Sequence, residues 1–153
     1  MVADADDDVD AAQKTVSCKI WYSHHMFDGK EVESFWRERS REDFDTAQSL
    51  VGLGKNTYAL FFCHLAIEKL LKALVVRKTQ QNAPYDHNLQ RLASDASLSL
   101  DTKTQEDIAD INTFNIKGRY DDFKSNFYTK ATSEYTQRYV RETERILLWL
   151  REQ

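Results

Sequence analysis

Two groups of residues in this chain have the types and spacing to do chemistry. In the run Tyr58–Val76, YALFFCHLAIEKLLKALVV, His64, Glu68 and Lys72 recur at steps of four among largely apolar neighbours. In a helix they stack along one face, an imidazole, a carboxylate and an ammonium in line. Such a line needs partners, because a buried charge without one is strongly unfavourable. It either forms a hydrogen-bonded network at a helix or dimer interface or walls a ligand cleft. The second group is Arg119, Tyr120, Asp121 and Asp122, directly after Gly118, where a turn would present them together. Arg119 has the planar fork that grips a phosphate in two places. The same fork would equally serve a structural Arg119–Asp pair that pins the loop to the body.

Other chemistry-bearing residues have plainer readings. His24 and His25 stand near Asp28, but adjacent histidines point in different directions on a helix or strand, so no metal site is expected. His87, in DHNL, is expected to fix the start of a helix through backbone hydrogen bonds. Cys18 and Cys63 lack the CxxC spacing of a zinc site and are too few for a disulfide framework, which favours a reducing compartment. Arg37, Arg39 and Arg41 alternate with Glu38 and Glu42 as on an ordinary solvated helix. Tyr58, Phe61 and Phe62 are expected as core or dimer contacts and not as stacking platforms, since no charged groove residue interleaves them. No cofactor is expected.

The elements that must position these residues are helices. The chain has 153 residues with one proline and four glycines, too few for the tight turns of a β architecture, and it suffices for one hydrophobic core. Residues 1–14 carry a cluster of aspartates and little apolar bulk, the composition of a disordered acidic tail. Residues 15–30 are apolar enough to pack but follow neither period. From about Glu31, Trp36, Ser40, Phe44, Ala47 and Val51 recur at helical steps until Gly52 and Gly54 stop them. A second helix, capped by Asn56, runs to about Lys78 and is apolar around most of its circumference, which marks it as central. Its small residues Ala59, Cys63, Ala66 and Ala73 form a stripe that lets a neighbour come close. Asp86 or Asn88 caps a short third helix, a fourth spans about Thr102–Phe114, and a last runs from about Thr132 to Arg151 with Tyr135, Tyr139, Ile146 and Trp149 inward. The expected fold class is all-α, an up-and-down bundle of four to five helices over residues 31–153.

No apolar run approaches the length of a membrane span and the N-terminus is acidic where a signal peptide is basic, so a cytoplasmic protein without membrane contact is expected. The formal net charge is −4, and residues 1–10 hold five aspartates and no base. The remainder is close to neutral, so any nucleic-acid contact has to be local.

Trp36 and Asp43, the "AxEKxLKAL" of the second helix, AP-x-DHNLQRLA over Ala83–Ala93, NTFNIKGRYDD over Asn112–Asp122 and the closing ILLWL occur in an order that resembles the HEPN domain family (higher eukaryote and prokaryote nucleotide-binding). The resemblance implies a helical bundle that forms a homodimer with a shared cleft. Many such proteins are toxin-antitoxin components encoded beside a minimal nucleotidyltransferase, and many others cut RNA without a metal. In the cutting members an Arg is followed after about four to six residues by a His, which moves the ribose 2′-hydroxyl proton. Here those positions after Arg119 hold Lys124, Ser125 and Asn126, so the ribonuclease pair is absent, although Asn126 could still bind a phosphate or hydroxyl. The expectation is therefore a non-catalytic partner protein binding a nucleotide, RNA or a nucleotidyltransferase around Arg119, Asp122, Lys72, Glu68 and His64. Two alternatives stay open: a metal-independent endoribonuclease toxin in which Arg119 acts without the His, and a ligand-free helical interaction module.

Overall fold

A computed structural model describes residues 27–118 and 126–153. The acidic tail and most of the 15–30 extension lie outside the described residues. Within them there are helices and no strands: α1 (Gly29–Gly52), α2 (Asn56–Thr79), α3 (Leu89–Asp95), α4 (Thr102–Asn112), the short α5 (Phe114–Lys117) and α6 (Phe127–Lys130), and α7 (Ser133–Arg151).

Side-chain caps start most of the longer helices. The Asp28 carboxylate accepts from the N–H groups of Lys30 and Glu31, so α1 opens two residues before the hydrophobic period becomes visible. Asn88, Asp101 and Thr132 do the same for α3, α4 and α7. The expected Asn56 cap is not there: Asn56 is the first helical residue of α2, and Lys55 precedes it without a side-chain cap. The turn is closed by the backbone instead. Gly54 adopts φ +69°, a left-handed conformation open to glycine, and the Lys55 N–H reaches the Leu50 carbonyl at 2.9 Å. This short connector makes α1 and α2 antiparallel neighbours along most of their length.

α2 is the spine. Leu60, Ile67, Leu71 and Val76 are fully buried, as are Ala59, Cys63, Ala66 and Ala73. The small stripe works as a close-approach surface: Ser40 of α1 donates to the Ala66 carbonyl at 2.6 Å, while Cys63 faces Thr143 of α7. Each fully buried leucine or isoleucine adds roughly 1.5–3 kcal/mol to folding, and α7 supplies Ile146, Leu147 and Leu150 to the same core.

The expected fourth helix stops earlier than its hydrophobic period. α4 ends at Asn112, Thr113 turns the chain with its hydroxyl on the Asp110 carbonyl, and Phe114 opens α5. Phe114 is buried all the same, edge-on to Tyr139 at 5.1 Å and tilted against Phe127 at 5.7 Å. A cationic seam joins α4 to α7: the buried Asp107 takes Lys103 and Arg145, both at 2.7 Å.

Candidate functional site

The polar line of α2 converges on one carboxylate. Glu68 is 4 % exposed. Its Oε1 accepts from Lys72 Nζ at 2.8 Å, and its Oε2 lies 3.1 Å from His64 Nε2. A third partner comes from outside the helix: His87 Nδ1 lies 3.0 and 3.1 Å from the two Glu68 oxygens. Burial pushes the Glu68 carboxyl upward, but the bonds from His64, Lys72 and His87 and the Lys72 charge outweigh it and hold the group at about 2. Glu68 is therefore ionised at neutral pH. An ionised carboxylate only accepts, so His64 Nε2 and His87 Nδ1 each carry a proton.

Neighbours from α1 close this network. The Lys72 ammonium sits 5.3 Å from the centroid of the Trp36 ring. Lys69 pairs with Asp43 at 2.5 Å, and burial raises the Asp43 carboxyl above its usual range despite that cation.

His64, Glu68 and Lys72, expected on one face, are thus brought into direct contact, and at 0, 4 and 6 % exposure they lie beneath the surface. Arg119 and Asp122 lie outside the described residues. Asn126 is exposed and stands at the head of α6, where its carbonyl accepts from Lys130 N–H. His87 differs from expectation. The start of α3 is set by its neighbours: Asp86 Oδ1 takes the Asn88 N–H at 2.9 Å, Asn88 caps Arg91 N–H, and Asn112 takes the Leu89 N–H. That leaves the His87 imidazole free to reach Glu68, with its side chain still 60 % exposed. The only sequence signal was Pro84, which stops any helix and permits the chain to double back.

A cleft of about 910 Å³ opens at the α2 N-terminus, lined by Lys55, Tyr58, Phe61, Phe62, Gly118 and Tyr128 together with threonine hydroxyls. Its volume is that of a small-molecule site. No carboxylate lines it among the described residues. Of the expectation of Tyr58, Phe61 and Phe62 as core or dimer contacts, the core half does not hold within the chain, since Tyr58 is 59 % exposed and the two phenylalanines are half-buried, edge-on to each other. Gly118 makes the cleft's close wall: a Cβ on it would come within 2.8 Å of both Phe61 Cβ and the Phe114 carbonyl. Arg119 is the next residue in sequence.

The remaining candidates are quiet. Arg37, Arg39 and Arg41 pair along their own helix with Glu33, Glu42 and Glu38. Burial raises the Cys63 thiol to about 12, the mark of an inert core thiol. Among the described residues no three His, Cys, Asp or Glu side chains are grouped so as to hold a metal ion, and no helix is long and apolar enough to cross a membrane.

Comparison with known proteins bears on the whole bundle. A model of the HEPN domain matches residues 33–153. The crystal structure of TT1696 from Thermus thermophilus is similar, with a TM-score of 0.67 at 21 % identity, over 83 % of this chain and 98 % of that one. At that identity the likeness concerns the fold. No curated protein matches the chain.

Proposed function

Because this chain belongs to the HEPN domain family, we propose that it is a homodimeric binding protein for a nucleotide or single-stranded RNA, working without the Arg/His ribonuclease pair. The observation that carries this reading is the aromatic cleft that opens at Gly118, one residue before Arg119. Tyr58 and Tyr128 offer faces on which a base can stack. Lys55, Asn56 and the threonines offer donors for phosphate and sugar oxygens, and among the described residues the wall holds no carboxylate that would repel them. Arg119 is the phosphate clamp in this proposal, and Asp122 is the acceptor for a ribose or base edge. Glu68, Lys72 and His64 serve as the buried support of the same face: Thr57, Phe61 and Glu68 lie close to one line along α2.

A second reading, an interface for a second copy or for a minimal nucleotidyltransferase partner, is favoured by the exposed Leu53, Ile116 and Tyr128, of which Tyr128 lines the cleft. The two are compatible if the partner borders the cleft.

Isothermal titration with ATP and with a short oligoriboadenylate tests the binding reading. Heat that vanishes in Arg119→Ala and Tyr58→Ala supports it, and no heat with wild type leaves the ligand-free interaction module. RNA degraded in EDTA by wild type but not by Arg119→Ala would replace it with the endoribonuclease.

A further inference from the structure

The spine helix begins without the cap that starts α1, α3, α4 and α7. There Asp28, Asn88, Asp101 and Thr132 each give a side-chain oxygen to an N–H group of the first turn. α2 has Lys55 in that place, and its first turn holds no acidic residue. Its ladder starts with the Ala59 N–H on the Lys55 carbonyl, and among the described residues nothing accepts from the N–H groups of Asn56, Thr57 and Tyr58. These donors stand at the head of a 24-residue helix, where the aligned peptide dipoles place roughly half a positive charge. A second feature points to a bound group. Thr57 is 7 % exposed and lines the cleft. Its hydroxyl has no hydrogen-bond partner among the described residues and yet is not sealed off, so the access it keeps is through the cleft.

The space in front of this head is open, since a Cβ on Gly54 would meet nothing within 4 Å. The exposed Lys55 adds a full positive charge at the same edge, and among the described residues no carboxylate lines the cleft to offset it. Three N–H groups, a hydroxyl and an ammonium around one opening select an anion with several oxygens. A carboxylate or an internal phosphodiester offers two free oxygens and a single charge. A phosphate monoester offers three free oxygens and nearly two charges, which suits the roughly one and a half positive charges of Lys55 and the helix head.

We propose that the head of α2 is the phosphate subsite of the cleft, where the N–H groups of Asn56, Thr57 and Tyr58, the Thr57 hydroxyl and the Lys55 ammonium hold the terminal phosphate of a mononucleotide. The subsite takes nothing from Arg119. This deepens the nucleotide-binding reading above, rests on it for the nucleoside half of the ligand, and favours a free nucleotide over a strand.

The test combines proton–nitrogen correlation spectra and titration calorimetry on the full chain. Inorganic phosphate alone should move the amide resonances of Asn56, Thr57 and Tyr58. AMP should bind roughly tenfold to a hundredfold more tightly than adenosine, the worth of charge-assisted hydrogen bonds, and the dinucleoside monophosphate of adenosine should bind no better than adenosine. Thr57→Val should weaken AMP by roughly threefold to tenfold. Lys55→Asp supplies the missing capping carboxylate, so its melting temperature should hold or rise while AMP binding drops to the level of adenosine, a loss that unfolding does not explain. Equal wild-type affinity for AMP and adenosine, or a preference for AMP that survives Lys55→Asp, overturns the subsite while the cleft reading stands. A dinucleoside monophosphate that binds as tightly as AMP overturns the terminal phosphate and makes a strand the ligand. If phosphate moves the three amides but AMP binds no better than phosphate, the nucleotide reading falls and the anion subsite stands. If phosphate moves none of them and AMP does not bind, both fall.

Discussion

The ammonium of Lys72 lies 2.8 Å from the carboxylate of Glu68 one turn earlier, and both are buried in the middle of the spine helix. An ion pair in that place costs desolvation on both sides and contributes little against an apolar substitute, yet losing one partner leaves a bare charge. Lys72→Met should therefore destabilise the fold by about 3–5 kcal/mol, tempered by the histidines that remain on Glu68. Urea unfolding of Lys72→Met, Glu68→Gln and the double variant measures this. The double variant should lose less than the sum of the two singles; simple additivity would mean that the pair is not coupled.

Acid should erode the same network in a definite window. The folded Glu68 carboxyl, held at about 2 against an ordinary 4.5, makes a stabilising contribution that is complete above 4.5 and disappears as pH falls toward 2. The contribution amounts to at most about 3 kcal/mol. Glu142, lowered to about 2 by hydrogen bonds from Lys103 and Arg145, acts in the same window, whereas Asp43, raised by burial, works in the opposite sense. Chemical denaturation between pH 5 and about 2.5 should show a shallower loss for Glu68→Gln than for wild type. Parallel curves would remove Glu68 from the account.

Gly118 is required by proximity, not by backbone conformation. A methyl group there meets Phe61 Cβ and a backbone carbonyl at 2.8 Å, and the carbonyl cannot swing aside as a side-chain end can. Gly118→Ala should cost about 1–3 kcal/mol and reshape the cleft at Phe61. Differential scanning fluorimetry and nucleotide titration on one variant check both halves; an unchanged melting temperature would show that α5 shifts freely.

Tyr58 separates binding from folding. Because it is 59 % exposed, Tyr58→Ala should change stability by no more than about 0.5 kcal/mol. Loss of a stacking face should weaken nucleotide binding by about 1–3 kcal/mol, measured by titration calorimetry. A large stability loss with intact affinity would return Tyr58 to the core role that its residue type suggests.

The helices were legible because their causes are local. Apolar periodicity, the Asn88 cap, and the stop at Gly52 and Gly54 act within a few residues of where they are written. The stacking of His64, Glu68 and Lys72 followed from helical geometry alone. The Asn56 cap failed because Gly54 and the Leu50 carbonyl closed the turn through the backbone, which residue type does not reveal. The exposure of Tyr58 was equally hidden, since periodicity shows which face is apolar but not how far a neighbouring helix covers its end.

What the linear order alone determined about this protein is an all-helical bundle around an apolar spine, with one imidazole, one carboxylate and one ammonium aligned along it. Only the tertiary structure decided that these three lie beneath the surface and that His87, 19 residues beyond Glu68, returns to meet them. Side chains four residues apart on a helix meet by geometry, whereas the return of a chain past Pro84 depends on how α3 and α4 pack and on which buried charge still has a lone pair to share.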